Sequence, residues 1–189
     1  AIDARVGLIN GDGDRFLRRW PEVSFSAIPF DTTPGQENKK KWVPYTKGGD
    51  FRLWYGNLEY VINWENNGWE VIHDNYDGAR PKAHNFNGLQ AFKCGITWNS
   101  ISSSAFHCRY VPTGFMFDAA GPLCEVIHLE KLPYVLGLLS SSLVRFLLEV
   151  INPTLNFPPG YLNCLPYAEN SAFEAIVASL VNQCVMTSK

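Results

Sequence analysis

Between Lys41 and Ile72, KWVPYTKGGDFRLWYGNLEYVINWENNGWEVI, lie four of the chain's six tryptophans (Trp42, Trp54, Trp64, Trp69), together with Tyr45, Phe51, Tyr55 and Tyr60. Lys47, Arg52, Asn57, Asn63, Asn66 and Asn67 are set among these rings. Aromatic side chains build a rigid support, and the ammonium, guanidinium and amide groups between them offer forked hydrogen bonding. Phosphate oxygens are met by Lys and Arg; in the major groove Arg reads guanine, and Asn or Gln reads adenine. Turns also want asparagine, and clustered tryptophans are more often core than stacking surface. Taken together, the stretch is suited to reading a polar, phosphate-bearing partner, duplex DNA.

The candidates for backbone phosphates are Lys39, Lys40, Lys41, Lys47 and Arg52, a run opposed by Asp50 alone. Arg80, Lys82 and Lys93 form a second set in the acid-free stretch from Ala79 to Lys93. Asn57, Asn66, Arg80 and the segment Trp98 to Ser103, with Ser102 in it, are candidates for groove contacts. A net charge of −2 argues against a generic nucleic-acid binder, so the case rests on where the cations cluster.

Other chemistries find little support. His73, His84, His107 and His128 show no HExxH or HxH spacing, and the five cysteines are odd in number, dispersed and without a CxxC pair. They read as free thiols in a reducing, cytoplasmic setting, neither a disulfide frame nor a zinc site. No GxSxG elbow is present. The glycines of GLINGDG (Gly7 to Gly13) lack the GK[ST] ending and strand–helix context of a phosphate loop and read as a turn. No catalytic, metal or cofactor residue is expected.

The elements that must hold these residues follow from pattern. An apolar content of 46% with 14% aromatic residues indicates a packed domain and excludes disorder. Strands are expected at RVGLIN, at Phe16–Trp20, at Trp42–Tyr45, at Leu58–Trp64, at Trp69–Ile72 after an Asn66-Asn67-Gly68 turn, and at Gly95–Trp98. A hairpin is expected from Phe106–Tyr110 to Gly114–Phe117 around Val111-Pro112-Thr113. Leu132, Leu136, Leu139, Leu143, Phe146 and Val150 fall on one helical face, predicting a single helix over about 131–151 with Pro133 in its first turn and Pro153 beyond its end. Ser171 and Glu174 have capping-box spacing at the start of a last helix. The polar N-terminus is no signal peptide, and Gly137, three serines and Arg145 interrupt the longest apolar stretch, so no membrane span is expected. The chain starts without Met, as though cut from something longer.

Three runs carry a resemblance: KGGDFRLWYGNLEYVINWENNGWEV, GITWNSISSSAFHCRYVPTGFMFDAAGP, and LGLLSSSLVRFLLEVINPTLNFPPGYLNCLP, with RFLRRWPEVSF upstream. Together they resemble the C-terminal part of the PglX family, the large adenine-specific DNA methyltransferases of BREX phage-defence systems. The third run, a helix then NPTLNF and a loop to LP, is similar to a wider set, the TaqI-like target-recognition domains and type I specificity subunits. The resemblance implies a parent that binds S-adenosylmethionine in a Rossmann-like domain with an NPPY motif and flips the target adenine. This chain holds no NPPY. It is therefore expected to be the recognition domain alone, not itself an enzyme, with its catalytic domain elsewhere in the parent.

The expected fold is α+β: a mixed, largely antiparallel twisted sheet region with the 131–151 helix packed on it and a C-terminal helix. Residues 1–168 are expected to form the recognition domain, and 169–189 the helix, a possible spacer. Expected partners are double-stranded DNA, the parent's methyltransferase domain and other phage-defence proteins. The rival reading is a module that docks a defence-complex partner through the 131–151 face.

Overall fold

The computed structural model describes residues 2–34, 40–167 and 170–189. Its strands in chain order are β1 (Ile2–Arg5), β2 (Leu8–Ile9), β3 (Leu17–Arg19), β4 (Trp42–Thr46), β5 (Tyr60–Asn63), β6 (Tyr76–Asp77), β7 (Arg80–Pro81), β8 (His84–Asn85), β9 (Gly95–Trp98), β10 (Cys108–Val111), β11 (Met116–Phe117) and β12 (Leu123–Val126). The helices are α1 (Gly13–Phe16), α2 (Glu65–His73), α3 (Leu132–Leu139), α4 (Ser142–Ile151), α5 (Pro159–Asn163) and α6 (Ser171–Thr187). The class is α+β, with strands paired mostly antiparallel.

Two four-stranded sheets form the body. The first runs β1-β12-β9-β10 and is antiparallel throughout, with Ile2 opposite Val126 and Trp98 opposite Cys108. The second runs β11-β4-β5-β3; β11 joins β4 in parallel and the other pairs are antiparallel. Side chains alternate across each strand. Ile96, Trp98 and Cys108 therefore face the helices, where they share a core with Leu136, Leu139, Val144, Leu148, Val181 and Val185. Thr97 and Arg109, of opposite parity and in register with each other, turn the other way. The second sheet has its own core of Leu17, Val43, Tyr45, Ile62, Trp64, Val71 and Met116.

The helix expected over 131–151 is two helices. α3 ends at Leu139, and the chain bends by 69° before α4. Serine is the cause: Ser141 is extended, with ψ 156°, and its Oγ accepts the Val144 amide at 3.2 Å as an N-cap. A serine that satisfies an orphan amide starts a helix and does not continue one. The bend splits the apolar stripe: Leu132, Leu136 and Leu139 are buried, but Leu143, Phe146 and Val150 are exposed, and α4 buries Val144 and Leu148 in their place.

Other expectations shift in similar ways. RVGLIN is divided between β1 and β2. No hairpin joins Phe106–Tyr110 to Gly114–Phe117: β10 pairs with β9 in the first sheet, and β11 crosses to β4 in the second. Trp69 to Ile72 is helical. Asn66, Asn67 and Gly68 are left-handed, with φ of 51°, 56° and 76°, so the turn forms but feeds α2 instead of a strand. Asn170, one residue before Ser171, caps α6 by accepting the Ala172 amide at 3.2 Å. α6 then packs on α3 where Gly137 permits close approach; a Cβ there would sit 2.7 Å from Val177 Cγ1.

Candidate nucleic-acid interface

The run KGGDFRLWYGN is a strap between the two sheets. It leaves β4 in the second sheet, stitches to the free edge of β10 in the first, and returns as β5. The stitch is a backbone pair: the Trp54 amide donates to Cys108 O at 3.2 Å, and the Tyr110 amide donates to Trp54 O at 2.8 Å. Three polar contacts fix the strap and the strand that leads into it. The Tyr45 hydroxyl donates to Asp118 Oδ2, Asn99 Nδ2 donates to Gly49 O at 2.6 Å, and Asn57 Nδ2 donates to Asp50 O at 3.0 Å. Gly48 lies so close to Ala120 that a Cβ would sit 2.7 Å from its carbonyl oxygen, which bars larger residues there. Trp54 and Asn57 hold left-handed φ of 70° and 59°, a conformation that persists only where neighbours enforce it.

Burial sets the protonation of the Tyr45–Asp118 pair. Desolvation raises the Asp118 carboxyl above its usual range against the pull of Tyr45, and desolvation followed by the Asp118 charge holds the Tyr45 hydroxyl well above the usual tyrosine value. The strap presents Phe51, Arg52 and Leu53 outward, with the Phe51 and His107 ring centroids 4.5 Å apart.

Beside the strap, cations lie against aromatic faces of the second sheet. Lys47 Nζ is 5.1 Å from the Tyr60 ring centroid; Lys41 Nζ and Arg18 Cζ are 5.8 Å and 6.0 Å from Trp42. Such contacts orient a flexible cation at a surface. A groove of about 440 Å³ runs along the β3 edge, lined by Arg18, Arg19, Lys47 and Tyr60 with Asp14 and Glu22. Sequence reasoning missed Arg18 and Arg19, although two adjacent arginines before Trp20 are a local signal of positive charge.

No family model matches the chain. The chain is 42% identical over 178 residues to the adenine-specific methyltransferase PglX of Lacticaseibacillus casei (strain Zhang), across 93% of its own length. It is 37% identical over 174 residues, 91% of its length, to the adenine-specific methyltransferase BrxX of Escherichia coli O9:H4 (strain HS). The chain belongs to the PglX family. It spans 15% and 14% of the length of these two relatives.

The runs singled out in the sequence now have structural meanings. KGGDFRLWYGN is the strap. NPTLNF is a corner in which Asn152 Nδ2 and Thr154 Oγ1 both donate to Asn156 O, at 2.6 and 3.2 Å. That corner holds the serine segment, because the Ser102 amide donates to Leu155 O and the Phe157 amide to Ser100 O. Gly7 and Gly11 of GLINGDG make room for neighbouring chain. A Cβ at Gly7 would lie 2.2 Å from Phe117 O, and one at Gly11 would lie 2.5 Å from Lys82 Cβ, so no phosphate cradle remains there.

The twelve predicted site residues of this PglX-family chain divide. Lys41 and Lys47 flank the two ends of β4, against Trp42 and Tyr60; Arg52 is exposed on the strap, and Lys40, next to Lys41, has its Nζ 3.5 Å from Ile28 O. Lys39 lies outside the described residues. Arg80 and Lys82 are exposed on and beside the small β6–β7 hairpin, and Asn66 is exposed in its left-handed turn. Lys93 is engaged by Glu125, with Nζ–O distances of 2.8 and 3.0 Å. Asn57 is buried and spends its amide on Asp50. Trp98 is fully buried, and its indole N–H donates to Phe157 O at 2.8 Å. Ser102 is nearly buried, within reach of Ser104. The last three serve as packing or tethering groups in this conformation. Among the described residues, no cluster of three or more His, Cys, Asp or Glu side chains is placed to hold a metal, and no single helix is long and apolar enough to cross a membrane.

Proposed function

We propose that this chain is the DNA target-recognition region of a site-specific adenine-N6 methyltransferase of the BREX type, seating duplex DNA so that a catalytic domain elsewhere in the protein reaches the target adenine. The observation that carries this reading is the set of cations on the second sheet: Arg18, Lys41 and Lys47 lie against Tyr60 and Trp42, beside the anchored strap that bears Arg52. Backbone phosphates fall to Arg18, Arg19, Lys40, Lys41, Lys47 and Arg52, with Arg80 and Lys82 as a second contact. Asn66 and Arg80 are the exposed groups with base-reading chemistry. In this reading S-adenosylmethionine and the methyl transfer belong to another domain. The names of the relatives, both adenine-specific methyltransferases, support the assignment of substrate class.

The test is an exchange of this segment between two PglX-family enzymes with different methylation sites. The chimaera is expected to methylate the sequence favoured by the donor of the segment. A chimaera that folds, methylates and keeps the recipient's sequence would assign recognition to another part.

A further inference from the structure

Among the described residues, Arg109 is the basic side chain with no exposed surface, and no carboxylate lies within ion-pair distance of it. Its Nη2 donates to Asn99 Oδ1 at 3.0 Å, while Nε and Nη1 have no hydrogen-bond partner. Desolvation pushes its pKa down to about 10. A well-packed apolar residue would fill the same place without the desolvation penalty, so stability alone does not account for an arginine here.

What the guanidinium does is fix an amide. With Asn99 Oδ1 held by Arg109, the Asn99 NH2 group must point the opposite way, and there it donates to Gly49 O at 2.6 Å. A flipped amide would set two donors against each other and leave Gly49 O unpaired. The relay thus runs from β10 through Asn99 to the middle of the strap, between Lys47 and Arg52. Asn57 grips the next carbonyl, that of Asp50.

We propose that Arg109 and Asn99 are positioning residues that hold the Lys47–Arg52 loop in the orientation in which its cations meet a duplex. This rests on the DNA reading given above and adds to it two residues that touch no DNA.

The deciding variant is Asn99→Asp in the intact protein. The aspartate still accepts from Arg109 but cannot donate to Gly49 O. The expected result is faster amide exchange confined to the strap around Gly48–Asp50, with β9 and β10 amides unchanged. Duplex affinity should fall on the order of tenfold, the scale of one lost hydrogen bond, at an unchanged salt slope because every cation remains. Arg109→Met, which frees the Asn99 amide to flip, should reproduce the strap exchange. Unaltered strap exchange in a folded Asn99→Asp protein would overturn the tie. Faster exchange with full duplex affinity would overturn its role in DNA orientation. Failure of the DNA reading itself looks different: Lys47→Ala/Arg52→Ala in the wild-type background would leave affinity unchanged, whereas the exchange experiment alone would still decide whether Asn99 holds the loop.

Discussion

The first sheet and the second are built alike in size but to different ends. The first is closed: α3 and α6 cover one face, its inward residues form the larger core, and its one predicted contact cation, Lys93, is neutralised by Glu125. The second keeps a smaller core and carries Lys41, Lys47 and Arg18 against its aromatic rings. Where the sheets meet, the side chains are polar as well as apolar, with Thr46, Thr97 and Arg109 near Val111, Phe117 and Leu123. The lesson is that rigidity and chemistry are held by different layers, and the strap from β4 to β5 transmits one to the other.

That division can be broken from either side. Leu136→Ala removes a side chain from the centre of the first sheet's core and should cost about 2–5 kcal/mol, seen as a lowered denaturation midpoint with an unchanged m-value. Tyr45→Phe acts at the second sheet. It leaves buried Asp118 without its hydroxyl donor and should cost about 1–3 kcal/mol at neutral pH. The folded state holds the Tyr45 hydroxyl neutral well above the usual tyrosine range. Wild-type stability is therefore lost as pH rises beyond about 10, where the unfolded chain ionises, and the phenylalanine variant should lose less over that window.

His107, beneath Phe51, probes the strap. Burial lowers its pKa, ahead of smaller influences from Ala105 and Arg109. The contribution is present above the unfolded value of about 6.5 and is lost as pH falls toward the folded one. Melting temperatures from pH 7 to 5.5 should therefore fall further for wild type than for His107→Phe; parallel curves would show that the imidazole does not differ between folded and unfolded chains. The smallest effect belongs to Lys93→Met. Its partly exposed pair with Glu125 is worth less than about 1 kcal/mol, and duplex affinity should not change. A marked loss of affinity would place the first sheet on the DNA side.

Much of the sheet framework was legible because alternation and β-branched or aromatic content at Trp42–Tyr45, Leu58–Trp64 and Gly95–Trp98 are local signals. The tertiary links were not. Nothing in Phe106–Phe117 tells that its two strands go to different sheets, since a Pro-Thr-Gly linker suits a hairpin and a crossover equally. The stripe from Leu132 to Val150 continues in sequence past Ser141, but one side-chain cap decides the bend, and periodicity does not register it. At the site, Lys41, Lys47 and Arg52 stand out in the sequence as a run of cations opposed by Asp50 alone. Arg18 and Arg19 are visible as an adjacent pair, but their place beside Lys47 and Tyr60 arises only because β3 pairs with β5. Trp98, Asn57 and Ser102 have the right chemistry for contact, and only burial shows that their polar groups are already spent.

The most direct measurement is the salt dependence of duplex binding by the intact protein, wild type against Lys47→Ala/Arg52→Ala. If the second sheet seats the backbone, the double variant binds all sequences more weakly, and its log–log salt slope is shallower by about two. Equal affinity and equal slope for the two proteins would contradict the account.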